Sequence, residues 1–198
     1  MIIINNISDF FDNSAIIFVN SKIKKEKTII LNDLVFFIDS LNKINSINIL
    51  NAKKYLIKNK KFYVDKIENY ALIKQIANEN NLIFDVPKKF VYAGIKERKT
   101  HPKSEKLFVL NLFDGTSIFD IVTNTLETEQ GRVIVIALPG LTTFSGNDIL
   151  EGKVLDINSP GMVVSYRTLG INKDGLIFGT KDDIGEGVWI LIWILLTI

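Results

Sequence analysis

Cysteine is absent from this chain of 198 residues, and histidine occurs once. The first absence excludes disulfide staples, thiolate metal sites and a cysteine nucleophile, and suits a reducing compartment such as the cytoplasm. The second means that His101 is no half of a two-histidine metal site and would need carboxylates as co-ligands. A Ser-His-Asp triad could be drawn through His101, yet no nucleophile-elbow motif accompanies it. The phosphate-cradling Gly-x-x-x-x-Gly-Lys loop and the dinucleotide fingerprint Gly-x-Gly-x-x-Gly are both missing. Asp182-Asp183 could hold a hard cation, but adjacent acids in a glycine-flanked segment read as loop. No catalytic residue, metal site or cofactor is therefore expected. Internal repeats and low-complexity tracts are lacking too. Met1-Ile2-Ile3-Ile4 leads at once into Asn5, Asn6 and Asp9, without the basic flank of a signal peptide, so a cytoplasmic protein is expected.

What is present is an ordinary globular composition, with 47% hydrophobic and 23% charged residues. The formal net charge of +2 hides an asymmetry. Residues 1–90 hold 14 Lys and Arg against 9 Asp and Glu, and residues 91–198 hold 10 against 13. A polyanion-binding module is ordinarily more basic than that second part.

Asp85-Val86-Pro87-Lys88-Lys89 is the clearest boundary, because proline and charge interrupt two apolar runs there. It divides the chain into domains of residues 1–86 and 87–198. In the first, short β-type runs at 15–19, 28–31, 35–38 and 47–50 precede a helical stretch over 68–80, in which Leu72 with Ile76 and Ile73 with Ala77 form i,i+4 pairs. That pattern is a small α+β domain. In the second, strands are expected near 90–99, 107–113, 116–123, 132–138 and 153–157, with Asp114-Gly115 as a tight hairpin signal. Five short strands suit a Greek-key β-barrel of the OB type. His101-Pro102 is expected to start a helical turn, proline taking the position where its missing N–H costs nothing.

Side chains alternate along a strand, so Val91, Ala93 and Ile95 should face one way, and Phe90, Tyr92, Lys96 and Arg98 the other. A face mixing rings with cations is what single-stranded nucleic acid requires: bases stack on the rings and phosphates follow the cations. The alternative is that Phe90 and Tyr92 are packed and the charges are merely solvated. Lys96, Arg98, Lys99, Lys103 and Lys106 form a basic cluster interrupted only by Glu97 and Glu105, to which Arg132 and Arg167 would add. Cations paired with phosphates release counterions, so such a patch binds RNA without reading its sequence.

Four segments carry a resemblance: His101-Pro102-Lys103-Ser104-Glu105-Lys106-Leu107, Val135-Ile136-Ala137-Leu138-Pro139-Gly140, Ser159-Pro160-Gly161-Met162-Val163-Val164-Ser165 and Leu169-Gly170. In this order and spacing they resemble the OB-fold tRNA-binding module appended to methionyl- and phenylalanyl-tRNA synthetases and found free in YtpR-like bacterial proteins. Ile47-Asn48-Ile49-Leu50-Asn51-Ala52 with Tyr55-Leu56 resembles the N-terminal domain of the free proteins. The resemblance implies a non-catalytic partner of tRNA or other structured RNA, acting in translation, with Ser159, Met162 and Ser165 at the RNA-facing end of the barrel. Those residues would serve equally as a turn and a core contact. The chain departs from the family where Leu155-Asp156 replaces an Arg-Gly pair, where Asn124-Thr125-Leu126-Glu127 replaces a Gly-Ala-x-Asn loop, and where Asp148, Leu150 and Glu151 stand at basic positions, with Lys153 kept. These changes remove cations or add anions, so the second reading is a scaffolding module that binds a protein of the translation machinery.

Residues 188–198 are uncharged and include both tryptophans. As a helix they would rise only about 16 Å against a bilayer core of roughly 30 Å, so no membrane span is expected. A homodimer interface or an intrachain strand would cover them.

Overall fold

The computed structural model describes residues 1–187. It is mostly β, with antiparallel sheets and one α-helix among the described residues. The chain divides into two compact units: Met1–Pro87 joined by Gly140–Asp148, and Lys88–Pro139 joined by the residues from Ile149 onward.

In the first unit, β1 (Ile2–Asn6), β2 (Ala15–Phe18), β3 (Lys27–Leu31), β4 (Leu34–Ile38), β5 (Ile44–Ile49) and β6 (Phe62–Asp65) form a sheet in the order β3-β4-β5-β2-β1-β6. Its central strands are isoleucine-rich because β-branched side chains fit a pleated, packed surface. Ile2, Ile3 and Ile4 on β1 are all fully buried, so both faces of that strand are covered. Between β3 and β5, β4 alternates instead, burying Leu34, Phe36 and Ile38 and leaving Val35 and Phe37 half-buried. The helix α1 (Ala71–Glu79) turns Ile73 and Ala77 inward and leaves Leu72 exposed. It ends where Asn81 enters the left-handed region at φ 57° and the Leu82 N–H returns to the Ala77 carbonyl, a Schellman-type stop. Segment 140–148 is fixed here by the Ser21 N–H on the Gly140 carbonyl and by Phe144 edge-on to Phe62.

The second unit holds β7 (Phe90–His101), β8 (Ser104–Phe113), β9 (Ile118–Thr123), β10 (Val133–Ala137), the short hairpin β11 (Gly152–Val154) and β12 (Ile157–Ser159), then β13 (Met162–Val163) and β14 (Phe178–Gly179). The main sheet runs β13-β10-β7-β8-β9, with β14 also on β10. Val91, Ala93, Ile95, Leu110, Leu112, Ile121, Ile134 and Ile136 fill its core, and Phe108, Phe119 and Leu138 pack against them.

Three local expectations are corrected by these strands. His101-Pro102 begins no helical turn: His101 pairs with Ser104 across the two-residue turn Pro102-Lys103, because proline's fixed φ serves a β-turn as well as a helix start. Asp114-Gly115 lies in a four-residue connection from Phe113 to Ile118, in which the Asp114 carboxylate accepts the Thr116 and Ser117 N–H groups. Finally, β7 does not alternate from end to end. Its register on β8 shifts between Ile95 and Glu97, so Lys96 is the extra residue of a β-bulge.

Candidate nucleic-acid interface

The bulge at Lys96 decides which side chains share a face. Before it, Ile95 pairs with Leu112; after it, Arg98 pairs with Leu110, and Leu110 and Leu112 are both fully buried. Directly paired residues of an antiparallel ladder point to the same side. Arg98 therefore lies on the side of the aliphatic core, at its far end, and the expected common face of Tyr92, Lys96 and Arg98 does not exist. Lys96 points its ammonium at the Phe113 ring, 5.1 Å from the centroid.

Tyr92 is also displaced from its expected role. Only 6% of it is exposed, and its ring lies against Gly179, where an added Cβ would sit 2.6 Å from Tyr92 Cδ1. Burial pushes its hydroxyl pKa up, and Asp183 and Tyr166 add to the rise. A ring covered in this way offers no platform to a base, and Phe90 at 1% exposure offers none either.

Arg98 has a different environment. Its guanidinium carbon stands 3.6 Å from the centroid of the Phe108 ring, while its Nε is buried without a hydrogen-bond partner. Among the described residues no carboxylate pairs with it. A buried N–H left unpaired costs about 1–3 kcal/mol. Stacking on an aromatic face returns about 0.5–2 kcal/mol.

The remaining expected cations fall into two groups. Lys99 pairs with Glu97 at 2.7 Å, Lys103 with Asp156, Arg132 with Glu129 at 2.8 Å and Arg167 with Asp174 at 2.6 Å. The Asp174 contact raises the Arg167 pKa above its ordinary value and lowers that of Asp174. Lys106 and Lys153 are exposed and have no ion pair among the described residues. Exposed pairs of this kind contribute little to stability, so phosphate can compete for their cations at small cost.

His101 is 2% exposed and both ring nitrogens are engaged. Nδ1 accepts the Lys103 N–H at 3.0 Å, which assigns the proton to Nε2, donating to the Val154 carbonyl at 3.2 Å. Together with the Lys103–Asp156 pair, this bond clips the β7–β8 turn to the β11–β12 turn. Histidine here is a structural staple between two hairpins.

The Ser159-x-Gly161-Met162-x-x-Ser165 signature is likewise occupied internally. Ser159 Oγ accepts the Val122 N–H at 3.1 Å, joining β12 to β9. Gly161 has φ 146°, and a Cβ there would lie 2.6 Å from the Ala137 carbonyl oxygen. Met162 is half-buried in β13. Ser165 Oγ accepts the Thr168 N–H at 3.2 Å and lies 3.0 Å from Thr168 Oγ1, opening the 3-10 turn at Arg167–Leu169. Asp183 is spent on a turn as well, accepting the Thr180 N–H at 2.7 Å and its hydroxyl at 2.8 Å. No cluster of three potential metal ligands occurs among the described residues. Residue reasoning missed Phe108: its signal was an aromatic in β8 two residues after Lys106, which pairing across the bulge brings to Arg98.

Residues 90–187 match the family described as "Putative tRNA binding domain". The chain is 29% identical over 129 residues to "Putative tRNA-binding protein YtpR" of Bacillus subtilis, covering 63% of this chain and 64% of that protein. It is 31% identical over 97 residues to the phenylalanine–tRNA ligase beta subunit of Leptospira interrogans and 34% over 86 residues to that of Rhodospirillum rubrum, covering 49% and 43% of this chain and 11% of each subunit. The chain thus spans less than two thirds of the relatives it matches. A solved structure, that of a MetRS-related protein from Pyrococcus horikoshii, shares 20% identity at a TM-score of 0.39 over 51% of this chain and 89% of that one. With the family match extending from the first residue of β7 to the last described residue, residues 90–187 of this chain belong to the tRNA-binding domain family.

Proposed function

We propose that this chain binds tRNA without catalysing a reaction on it, through a domain of residues 87–198 whose described part forms an OB-type barrel, preceded in the sequence by an N-terminal α+β domain of residues 1–86. The family match over residues 90–187 carries this reading. Closure of the barrel is supported by Gly161, whose Cβ position lies 3.2 Å from Ile121 Cδ1 on β9 and 2.6 Å from the Ala137 oxygen on β10. The backbone that enters β13 therefore lies against β9, and β13 and β9 are the two edge strands of the sheet that a barrel must join.

Phosphate contacts would come from the unpaired Lys106 and Lys153, with Lys99, Lys103 and Arg167 available by exchanging a carboxylate for a phosphate. Contacts of this type position the RNA and read no sequence. Reversing Lys106 and Lys153 together to glutamate tests the reading. Every tRNA should bind more weakly by a similar factor, with the salt slope reduced by about 1.5. Unchanged affinity would remove this end of the unit from the interface.

A second reading has its own observation. Leu150, Val154 and Leu155 are exposed on or beside the β11–β12 hairpin, next to Glu151 and Asp156. Apolar side chains among acids favour a protein partner, and binding there would persist at high salt. The homodimer reading rests on residues 188–198, which lie outside the described residues; solution mass before and after their removal tests it.

A further inference from the structure

We infer that Arg98 stacked on Phe108 is a subsite for one unpaired nucleobase, resting on the proposal that the chain binds RNA. Three observations converge on this pair. First, Phe108 is only half-buried and packs against the aliphatic core from within β8, paired with Thr100 and Thr123, so its position is set by the sheet and the core. A rigid platform loses little freedom when a ligand docks.

Second, the guanidinium lies 3.6 Å above the ring and is only partly buried. A guanidinium fixed in that way is a flat cationic surface on which a base can stack in turn. Third, the Arg98 side chain makes no hydrogen bond and no ion pair among the described residues, and although its Nε is shut away from solvent the residue as a whole is only partly buried. The neighbouring cations Lys99 and Lys103 are ion-paired, whereas no carboxylate among the described residues answers Arg98. In an unpaired loop one base supplies a stacking face for the guanidinium, and the carbonyl edge of a neighbouring guanine or uracil an acceptor in its plane. Fully paired helical RNA supplies neither, because its bases are already stacked and paired.

The bulge at Lys96 makes this subsite. Without the extra residue Arg98 would turn to the opposite side of β7, away from Phe108. Lys106, exposed in β8 two residues before Phe108, would supply a cation for the phosphate of the bound nucleotide.

The test compares a blunt RNA duplex with the same RNA carrying an unpaired loop in which one base is 2-aminopurine, using Arg98→Lys and Phe108→Leu. Both variants keep the charge or the apolar volume, and thermal melting verifies that they fold. The expected result is a loss of about ten-fold in affinity for the looped RNA with duplex binding little changed, together with loss of the fluorescence quenching that stacking causes in the wild type. Equal weakening toward both RNAs, or unchanged quenching, overturns the subsite while leaving RNA binding standing. If the wild-type protein binds neither RNA, the subsite falls together with the tRNA reading.

Discussion

Asp65 stays ionised although burial works against it. Desolvation alone would raise its pKa. The Lys58 ammonium at 2.9 Å, the Lys66 N–H at 2.8 Å, the Tyr70 hydroxyl at 2.9 Å and Asn69 outweigh that and hold it below the ordinary carboxylate value. A depressed folded pKa contributes stability that is present above the unfolded value of about 3.9 and disappears as pH falls through the folded value. Asp65→Asn should therefore destabilise the protein by about 2 kcal/mol at neutral pH and by less in acid, because the Tyr70 and Lys58 donors lose their acceptor. Urea titrations between about pH 2 and 7 check this; equal destabilisation at both ends would contradict it. Tyr92 is a second residue whose role is packing. Tyr92→Ala should cost about 3 kcal/mol of stability with RNA affinity unchanged in the folded variant. Sequence alternation could not show this, since what covers the ring is Gly179, a residue far along the chain.

At the scale of elements, strand existence was legible and strand detail was not. Runs of β-branched residues located β2 to β5 and β7 to β10, because hydrophobic patterning is a local property. β1 and β6 escaped notice: Ile2-Ile3-Ile4 is apolar without alternation, as suits a strand buried on both faces, and Phe62–Asp65 is a short run whose Asp65 is held by partners from Lys58 to Tyr70. The bulge at Lys96 was equally invisible, because register depends on the partner strand. The single strand expected near 153–157 is instead the hairpin β11–β12, whose turn at Leu155-Asp156 has its own physical signature. Leu155 and Asp156 both have positive φ, 45° and 75°, the pattern of a two-residue turn that favours Asn-Gly. Asp156 also neutralises Lys103. Asp156→Asn keeps a side chain that tolerates this backbone and removes the anion. It should raise tRNA affinity several-fold at low salt and steepen the salt slope by about 0.8. An unchanged slope would place Lys103 outside the interface. Gly161→Ala should cost about 3 kcal/mol or more, since the backbone carbonyl of Ala137 cannot yield as a flexible side chain would; a melting curve measures it.

For the whole molecule, the four family segments made the second unit legible as a match to a tRNA-binding domain, and the residues of the same signature are engaged within the fold. Ser159, Gly161 and Ser165 are needed by the fold itself, holding β12, β13 and the turn at Arg167–Leu169, so their presence reports the architecture. The proposed phosphate contacts are more loosely specified by sequence, because any exposed cation at that end of the unit could meet a phosphate. The excess of acid in residues 91–198 sets the expected strength: several lysines and arginines are already answered by carboxylates, leaving a small number free. The most direct measurement is filter binding of total tRNA by the full chain at several salt concentrations. With about three to four phosphates neutralised, log affinity should fall against log salt with a slope of roughly −3. Absence of binding at low salt, or an affinity indifferent to salt, would contradict the account.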